Sequence, residues 1–305
     1  MKRIKYIYLS TIMSGKIAIQ LMGGIGNQLF QLFALFAFAI EQKIPPQIVF
    51  SHNLNERQTY WETFLYGFKP FTTYRSPPPK YDIDKIMSLP VWQEPSFLFT
   101  PIPTTNIPAQ FRISGYFPCY RYFNKPETKS RIYEYLHLTE QQNDMKPTYY
   151  AYVDDDDISI SMHFRLGDYK YKQEFHPVLP YEYYERALQT ILKDFSSEDK
   201  IKILYFCEKE DNAYVNNIIA RLKTNIQHNC VFSKVDDTIV DWKQLLLMSL
   251  CDNHIIANSS FSWFGAYFSG NMTGIKKICY PSLWFGPALP NHNTIDLFPA
   301  EWIKI

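Results

Sequence analysis

In the second half of the chain, short apolar runs alternate with longer amphipathic ones. Runs of strand length at about 158–163, 201–207, 230–233, 254–257 and 276–280 are separated by stretches of helical spacing near 181–195, 211–223, 240–251 and 261–269. Within the first of these, Ile158-Ser159-Ile160-Ser161-Met162 alternates strictly, the period of a strand whose two faces differ. Strands alternating with helices predict parallel strands joined by crossover helices in a doubly wound sheet. The first half opens in the same way, with an apolar strand from Ile17 to Met22, a glycine loop, and a helical run from Leu29 to Gln42. It then becomes irregular between Arg75 and Pro108, where Pro77, Pro78, Pro79, Pro101 and Pro103 cluster, and this stretch reads as an extended surface excursion. The expected division is a Rossmann-like unit over 1–150 and a second over 151–305, with the linker around Lys146 to Asp157. No internal repeat is evident.

Open sheets of this kind bind ligands beyond the carboxyl ends of their strands, so the residues just past each strand carry the candidate chemistry. Past 158–163 stands His163-Phe164-Arg165-Leu166-Gly167-Asp168-Tyr169, and an arginine there offers a fork of donors suited to phosphate oxygens. Taken alone, the segment is better explained by Arg165 and Asp168 pairing to close a turn. Past 254–257, Asn258-Ser259-Ser260-Phe261 leads into an aromatic helix. Ser259 or Ser260 fits the N-cap, and the free amides behind it make an anion site, whereas Phe261, Trp263 and Phe264 read first as core. Past the first strand lies Gly23-Gly24-Ile25-Gly26-Asn27-Gln28, where glycines permit a sharp turn and close approach to a ligand. Asn27 and Gln28 either face that ligand or cap the loop. A dinucleotide fingerprint would need a third glycine where Leu29 stands and an acidic residue where Ile48-Val49-Phe50 leads into Ser51-His52-Asn53, which counts against an oxidoreductase.

Read together and in order, GGIGNQLFQ from Gly23, HFRLGDY from His163 and ANSSFSWFGA from Ala257 resemble the α1,2-fucosyltransferases of glycosyltransferase family 11, which carry GGLGNQMFQ-, HxRRGDY- and ANSTFSWWGA-like motifs. Weaker echoes are Gly115-Tyr116-Phe117 with Tyr122-Phe123, the stretch Val178 to Tyr184, and Leu247-Met248-Ser249, so the resemblance runs from about Ile17 to Trp302. It implies a GT-B-like α/β fold of two Rossmann-like domains facing across a cleft, the N-terminal one chiefly for the acceptor and the C-terminal one for GDP-fucose. It further implies inverting transfer of fucose to a galactose O2 hydroxyl of a glycan acceptor. Arg165, Asp168 and His163 are the implied catalytic residues. Gly24, Gly26, Asn27, Asn258, Ser259, Ser260 and Phe261, with His163 and Arg165, are implied to surround the donor. The base stays open among Asp168, Glu174 and His176, and Asp168 serves equally well to orient Arg165. Leu166 departs from the family pattern, which has a second arginine there. Its absence favours a competing reading, a non-catalytic sugar- or nucleotide-binding protein of the same fold. Strand alternation offers another explanation, with Met162, Phe164 and Leu166 sharing one apolar face.

Composition narrows the partners. The 305 residues carry a formal net charge of +1, which gives no nucleic-acid surface. Aromatic residues make up 17% of the chain, enough to line a sugar site while mostly filling core. Cys119, Cys207, Cys230, Cys251 and Cys279 lack ligand spacing and are expected as reduced, buried thiols. The acidic run Asp154 to Asp157 and Asp82-Ile83-Asp84 echo the Asp-x-Asp metal signature of another glycosyltransferase fold. The first precedes its strand and the second sits in the proline-rich excursion, so both read as solvated turns; no metal is expected, and no cofactor beyond the donor substrate. No run reaches the roughly 18 apolar residues of a membrane span, and Met1 to Ile12 has no convincing signal-peptide core. The resemblance is to the soluble bacterial members, which implies a cytoplasmic protein; in that setting the sequons at Asn258 and Asn271 carry no meaning.

Overall fold

The computed structural model describes residues 15–55, 57–74, 80–152, 157–270 and 276–305, with backbone alone for 80–82. Strand β1 (Lys16–Ile19) leads through helix α1 (Ile25–Gln42) to β2 (Pro46–Ile48), a short hairpin of β3 (Asn53–Leu54) and β4 (Arg57–Gln58), then α2 (Lys80–Met87), β5 (Val91–Gln93) and β6 (Gln110–Ser114). Helices α3 (Pro126–Leu136) and α4 (Leu138–Thr148) follow. The second half runs β7 (Ile158–His163), α5 (Tyr181–Leu192), β8 (Ile201–Phe206), α6 (Asn212–Asn225), β9 (Cys230–Lys234), α7 (Asp241–Ser249), β10 (Asn253–Ile255), α8 (Ser260–Tyr267), β11 (Ile278–Tyr280) and β12 (Ile303–Lys304).

Two parallel sheets result. The first has the order β2-β1-β6-β5 and the second β12-β11-β10-β7-β8-β9, and every pairing within them is parallel. In order of appearance the second sheet reads 3-2-1-4-5-6, the Rossmann order, so its chain direction reverses between β7 and β10. In the first sheet the chain goes from β1 outward to β2, crosses to the opposite edge at β5 and returns inward to β6 beside β1. Two parallel α/β units facing across a cleft constitute the GT-B-like architecture implied by the motifs. The stretch expected to be irregular contains α2 and β5, and α3 and α4 had no counterpart in the periodicity reading. The prolines at 77–79 and the run at 154–156 lie outside the described residues.

A single apolar cluster runs through both units. Helix α1 is apolar nearly all round, as a helix packed on both sides must be, with 13 of its 18 residues buried. On one side it covers the first sheet, and on the other it meets α8: Phe30 lies 4.6 Å from Trp263 and 4.7 Å from Phe264, ring centre to ring centre. Much of the chain's aromatic content is spent at this junction. A second cluster, formed by β7, α5, β8 and α6, holds Met162, Phe164 and Leu166 together. Cys119, Cys207, Cys251 and Cys279 are buried and Cys230 half-buried, all as free thiols. No helix of the described residues is long and apolar enough to cross a membrane.

Candidate active site

A cleft of about 1470 Å³ lies between the two sheets, lined by the loops that follow β1, β6, β7, β8 and β10. Single small-molecule pockets run to roughly 1000 Å³, so this one has room for two reactants. It brings together His163, Arg165, Asp168, Gly24, Gly26, Asn27, Asn258, Ser259, Ser260 and Phe261. Gln28 is not among the lining residues.

The loop after β7 carries the arginine. Phe164 and Leu166 point into the apolar cluster beneath, and Arg165 between them points to the cleft. Leu166 is 3% exposed, which accounts for an apolar residue at this position. Gly167 adopts φ +41°, a left-handed turn that glycine enters without strain. The buried Asp211 then clamps the loop, accepting from the Gly167 amide at 2.8 Å and from Lys170 Nζ at 2.6 Å. The Arg165 guanidinium donates to Asp168 through one terminal nitrogen and to Glu208 through the other, and it sits 4.8 Å from the centre of the Tyr169 ring. Two carboxylates thus hold the fork in place, and an incoming phosphate would compete with them for it. Glu208 and Asp211 were not anticipated. The signal was the acidic string Glu208-Lys209-Glu210-Asp211 just past an apolar run ending at Cys207, the same strand-end rule that singled out Arg165.

Two helix N-termini converge on the cleft. Ser259 caps α8, its side chain accepting from the Phe261 amide at 3.3 Å, and Gly24 in an extended conformation precedes α1. Ser260 Oγ donates to Asn27 Oδ1 at 2.7 Å, joining the two ends. They approach so closely that a Cβ on Gly26 would lie 2.3 Å from the Ser260 carbonyl carbon, whereas one on Gly24 would meet nothing within 4 Å. Both glycines line the cleft, Gly26 where helix packing leaves no room for a side chain and Gly24 beside open space. The amides of the motif are largely internal. Gln28 Nε2 donates to the Gly23 and Gln58 carbonyls, and Gln31 closes on Met22 and Asn27. Asn258 is buried and its amide donates to the Pro177 and Trp284 carbonyls, which ties loops together beneath the site. Trp263 and Phe264 are fully buried, while Phe261 is half-buried at the cleft, 5.4 Å from the His163 ring.

His163 is buried, its Nδ1 has no hydrogen-bond partner among the described residues, and burial followed by the neighbouring Arg165 charge lowers its pKa to about 3. The ring is therefore neutral at pH 7, and an anion bound beside it would favour the protonated form. Across the cleft, the Tyr60 hydroxyl donates to Asp241 at the start of α7, and burial together with that carboxylate raises the phenol pKa. Beside the cleft-lining Tyr116, Glu94 accepts from the Tyr116 and Phe117 amides at 2.9 Å each; burial nonetheless raises its pKa to about 7. Among the described residues no cluster of His, Cys, Asp and Glu has the arrangement of a metal site. Asp84 is exposed on α2, away from the cleft lining.

Comparison with known proteins gives this geometry a context. Over 151 residues the chain is 32% identical to the O-antigen biosynthesis glycosyltransferase WbnK of Escherichia coli, covering 48% of this chain and 44% of that one. Over 154 residues it is 30% identical to an alpha-1,2-colitosyltransferase of the same species, covering 48% and 47%. The chain spans about half the length of these curated relatives. Among solved structures it is similar to a family 9 glycosyl transferase from Veillonella parvula, with TM-score 0.47 and 12% identity over 97% of this chain and 88% of that one. It is also similar to a mutant of Arabidopsis thaliana FUT1 in complex with GDP, with TM-score 0.48 and 13% identity over 93% and 74%. The profile of Glycosyl transferase family 11 matches residues 3–303, nearly the whole length, and the chain belongs to that family.

Proposed function

We propose that the protein transfers fucose from GDP-fucose to a galactose O2 hydroxyl of a glycan acceptor with inversion at the anomeric carbon. The observation that carries this reading is the convergence of Arg165 and the N-termini of α1 and α8 on one cleft, at the point where the second sheet changes direction. Departure of GDP leaves negative charge growing on the β-phosphate. A guanidinium fork and free helix amides, preorganised before the reaction, stabilise that charge where it develops. In this reading no metal ion takes part, because Arg165 and the helix ends occupy the position a cation would serve. The acceptor oxygen attacks C1 from the face opposite the diphosphate, the C1–O bond breaks, and its electron pair leaves on GDP. In this reading Gly24, Asn27, Ser259, Ser260 and Phe261, which line the cleft, surround the donor, with His163 beside the phosphate or sugar. The first unit, on the other wall, then contributes to the acceptor side. The non-catalytic alternative drew on Leu166, and the packing of that side chain removes the argument.

The test is transfer itself. The protein is incubated with GDP-fucose, with and without a galactoside such as lactose, and GDP release and a fucosylated product are measured. Arg165→Ala should lower turnover about 100- to 1000-fold, the usual cost of removing one oxyanion donor, with the circular dichroism spectrum unchanged. A variant retaining more than half of wild-type turnover would exclude the phosphate role. Activity with GDP-colitose in place of GDP-fucose would transfer the reading to the sugar named for the second curated relative.

A further inference from the structure

The three candidates for the base part ways in the structure. Asp168 is committed to Arg165, with Lys172 Nζ 3.7 Å from its other oxygen. Glu174 is exposed and does not line the cleft; its carbonyl accepts from the Ala288 amide. His176 does line the cleft. Its ring stacks on Tyr169 at 4.7 Å and 18°, the same ring that carries the Arg165 guanidinium. Its backbone amide is anchored to the Lys172 carbonyl at 2.8 Å, while its ring nitrogens make no hydrogen bond among the described residues. Further out, the wall continues through Phe285, 5.8 Å from His176, to Phe97 and His292, which lie 4.3 Å from each other. Phe97 belongs to the first unit, so the wall spans the cleft mouth and offers aromatic faces on which the apolar side of a pyranose can lie.

We propose that His176 is the general base of the transfer, taking the proton from an acceptor hydroxyl whose sugar is seated against Phe285, Phe97 and His292. The inference rests on the fucosyl-transfer reading above. The O–H proton passes to a ring nitrogen of His176 as the acceptor O–C1 bond forms and the C1–O bond to the β-phosphate breaks, the bonding pair leaving on GDP. The imidazolium then returns its proton to water. The groups facing this ring are Tyr169, Asp168, Arg165, Lys172 and His292. Burial lowers its pKa most, Asp168 opposes, and the three cationic or histidine neighbours add to the lowering, so the ring is neutral and able to accept a proton at pH 7.

The experiment uses the full chain with GDP-fucose and lactose, comparing wild type with His176→Ala and His176→Gln, and reads kcat, both KM values and GDP affinity across pH. Turnover should fall about 100-fold or more, with KM for GDP-fucose and GDP affinity within about twofold. The acidic limb of the kcat profile should disappear, and free imidazole should partly restore the alanine variant. Phe285→Ala should raise KM for lactose and leave GDP affinity alone. The proposal is overturned if the His176 variants stay within about threefold of wild type, if they lose GDP affinity along with turnover, or if the slowed enzyme keeps its acidic limb and ignores imidazole. Failure of the donor reading would show earlier and differently, as a wild type that yields no fucosylated product.

Discussion

Arg165 and Leu166 are neighbours with opposite fates, and the backbone decides which is which. The extended chain leaving β7 sends Met162, Phe164 and Leu166 to the apolar cluster under the sheet and Arg165 to the cleft. The strict alternation upstream made that split legible. Glu208, by contrast, meets Arg165 from the neighbouring strand, 43 positions along the chain, and no local pattern announces such a contact. The same geometry fixes the outcome of restoring the family's second arginine. Leu166→Arg should force a guanidinium into the apolar cluster that Leu166 now fills, at a cost on the order of 3–5 kcal/mol. Thermal melting of this variant should fall by roughly 5–10 degrees, or the variant should give no folded protein at all. An unchanged melting temperature with tighter GDP binding would show that the side chain reaches the cleft instead.

At the scale of elements, the site depends on how closely two helix ends can be brought together. In an isolated helix, replacing glycine by alanine gains about 1 kcal/mol, but at Gly26 the added methyl meets the backbone of Ser260 and Phe261, which cannot rotate away. Gly26→Ala should therefore destabilise the protein by about 1–3 kcal/mol, the range for overpacking, and weaken GDP binding by separating α1 from α8. Gly24→Ala serves as the contrast, since its methyl meets nothing and its φ of −74° suits any residue. Urea midpoints of the two variants check the argument, and equal midpoints would refute it. Elements of this kind were legible where the pattern is long and apolar. Strands at 158–163 and 230–234 and the helix from Tyr181 stand within a residue of expectation at their starts, whereas α1 begins at Ile25 rather than Leu29 because Gly24 already supplies the extended cap. The three-residue β5 was hidden because it lies between Pro90 and Pro95, inside a stretch whose prolines read as irregular. Helix α4, with Pro147 inside it, carries too weak a stripe to read, and α3 is a mostly polar helix that buries only Thr128, Ile132 and Leu136.

At the scale of the whole molecule, three of the buried titratable groups among the described residues, His254, His163 and Glu94, couple stability to pH on the acid side of neutrality, and their signs differ. His254, fully buried between Ser161 and Ser269, and His163 at the cleft both have pKa values lowered to about 3, chiefly by burial. An unfolded histidine takes up its proton near pH 6.5, so below that pH the unfolded chain binds two protons that the folded one refuses, and stability falls as pH drops toward 3. Glu94 works the other way. Raised by burial to about 7 from an ordinary value of 4.5, it keeps a proton in the fold that the unfolded chain has released, and this contribution is lost as pH rises from 4.5 through 7. Each uncompensated proton is worth about 1.4 kcal/mol per pH unit. From these three groups stability should peak near pH 6.5, decline by about 1.4 kcal/mol per unit down to pH 4.5 while Glu94 offsets one histidine, and decline about twice as steeply below that. Glu94→Gln removes the offset, so urea midpoints measured between pH 4.5 and 6.5 should show roughly double the wild-type slope. An unchanged slope would mean that the Glu94 carboxyl ionises in the ordinary range, in spite of its burial at the edge of the first sheet.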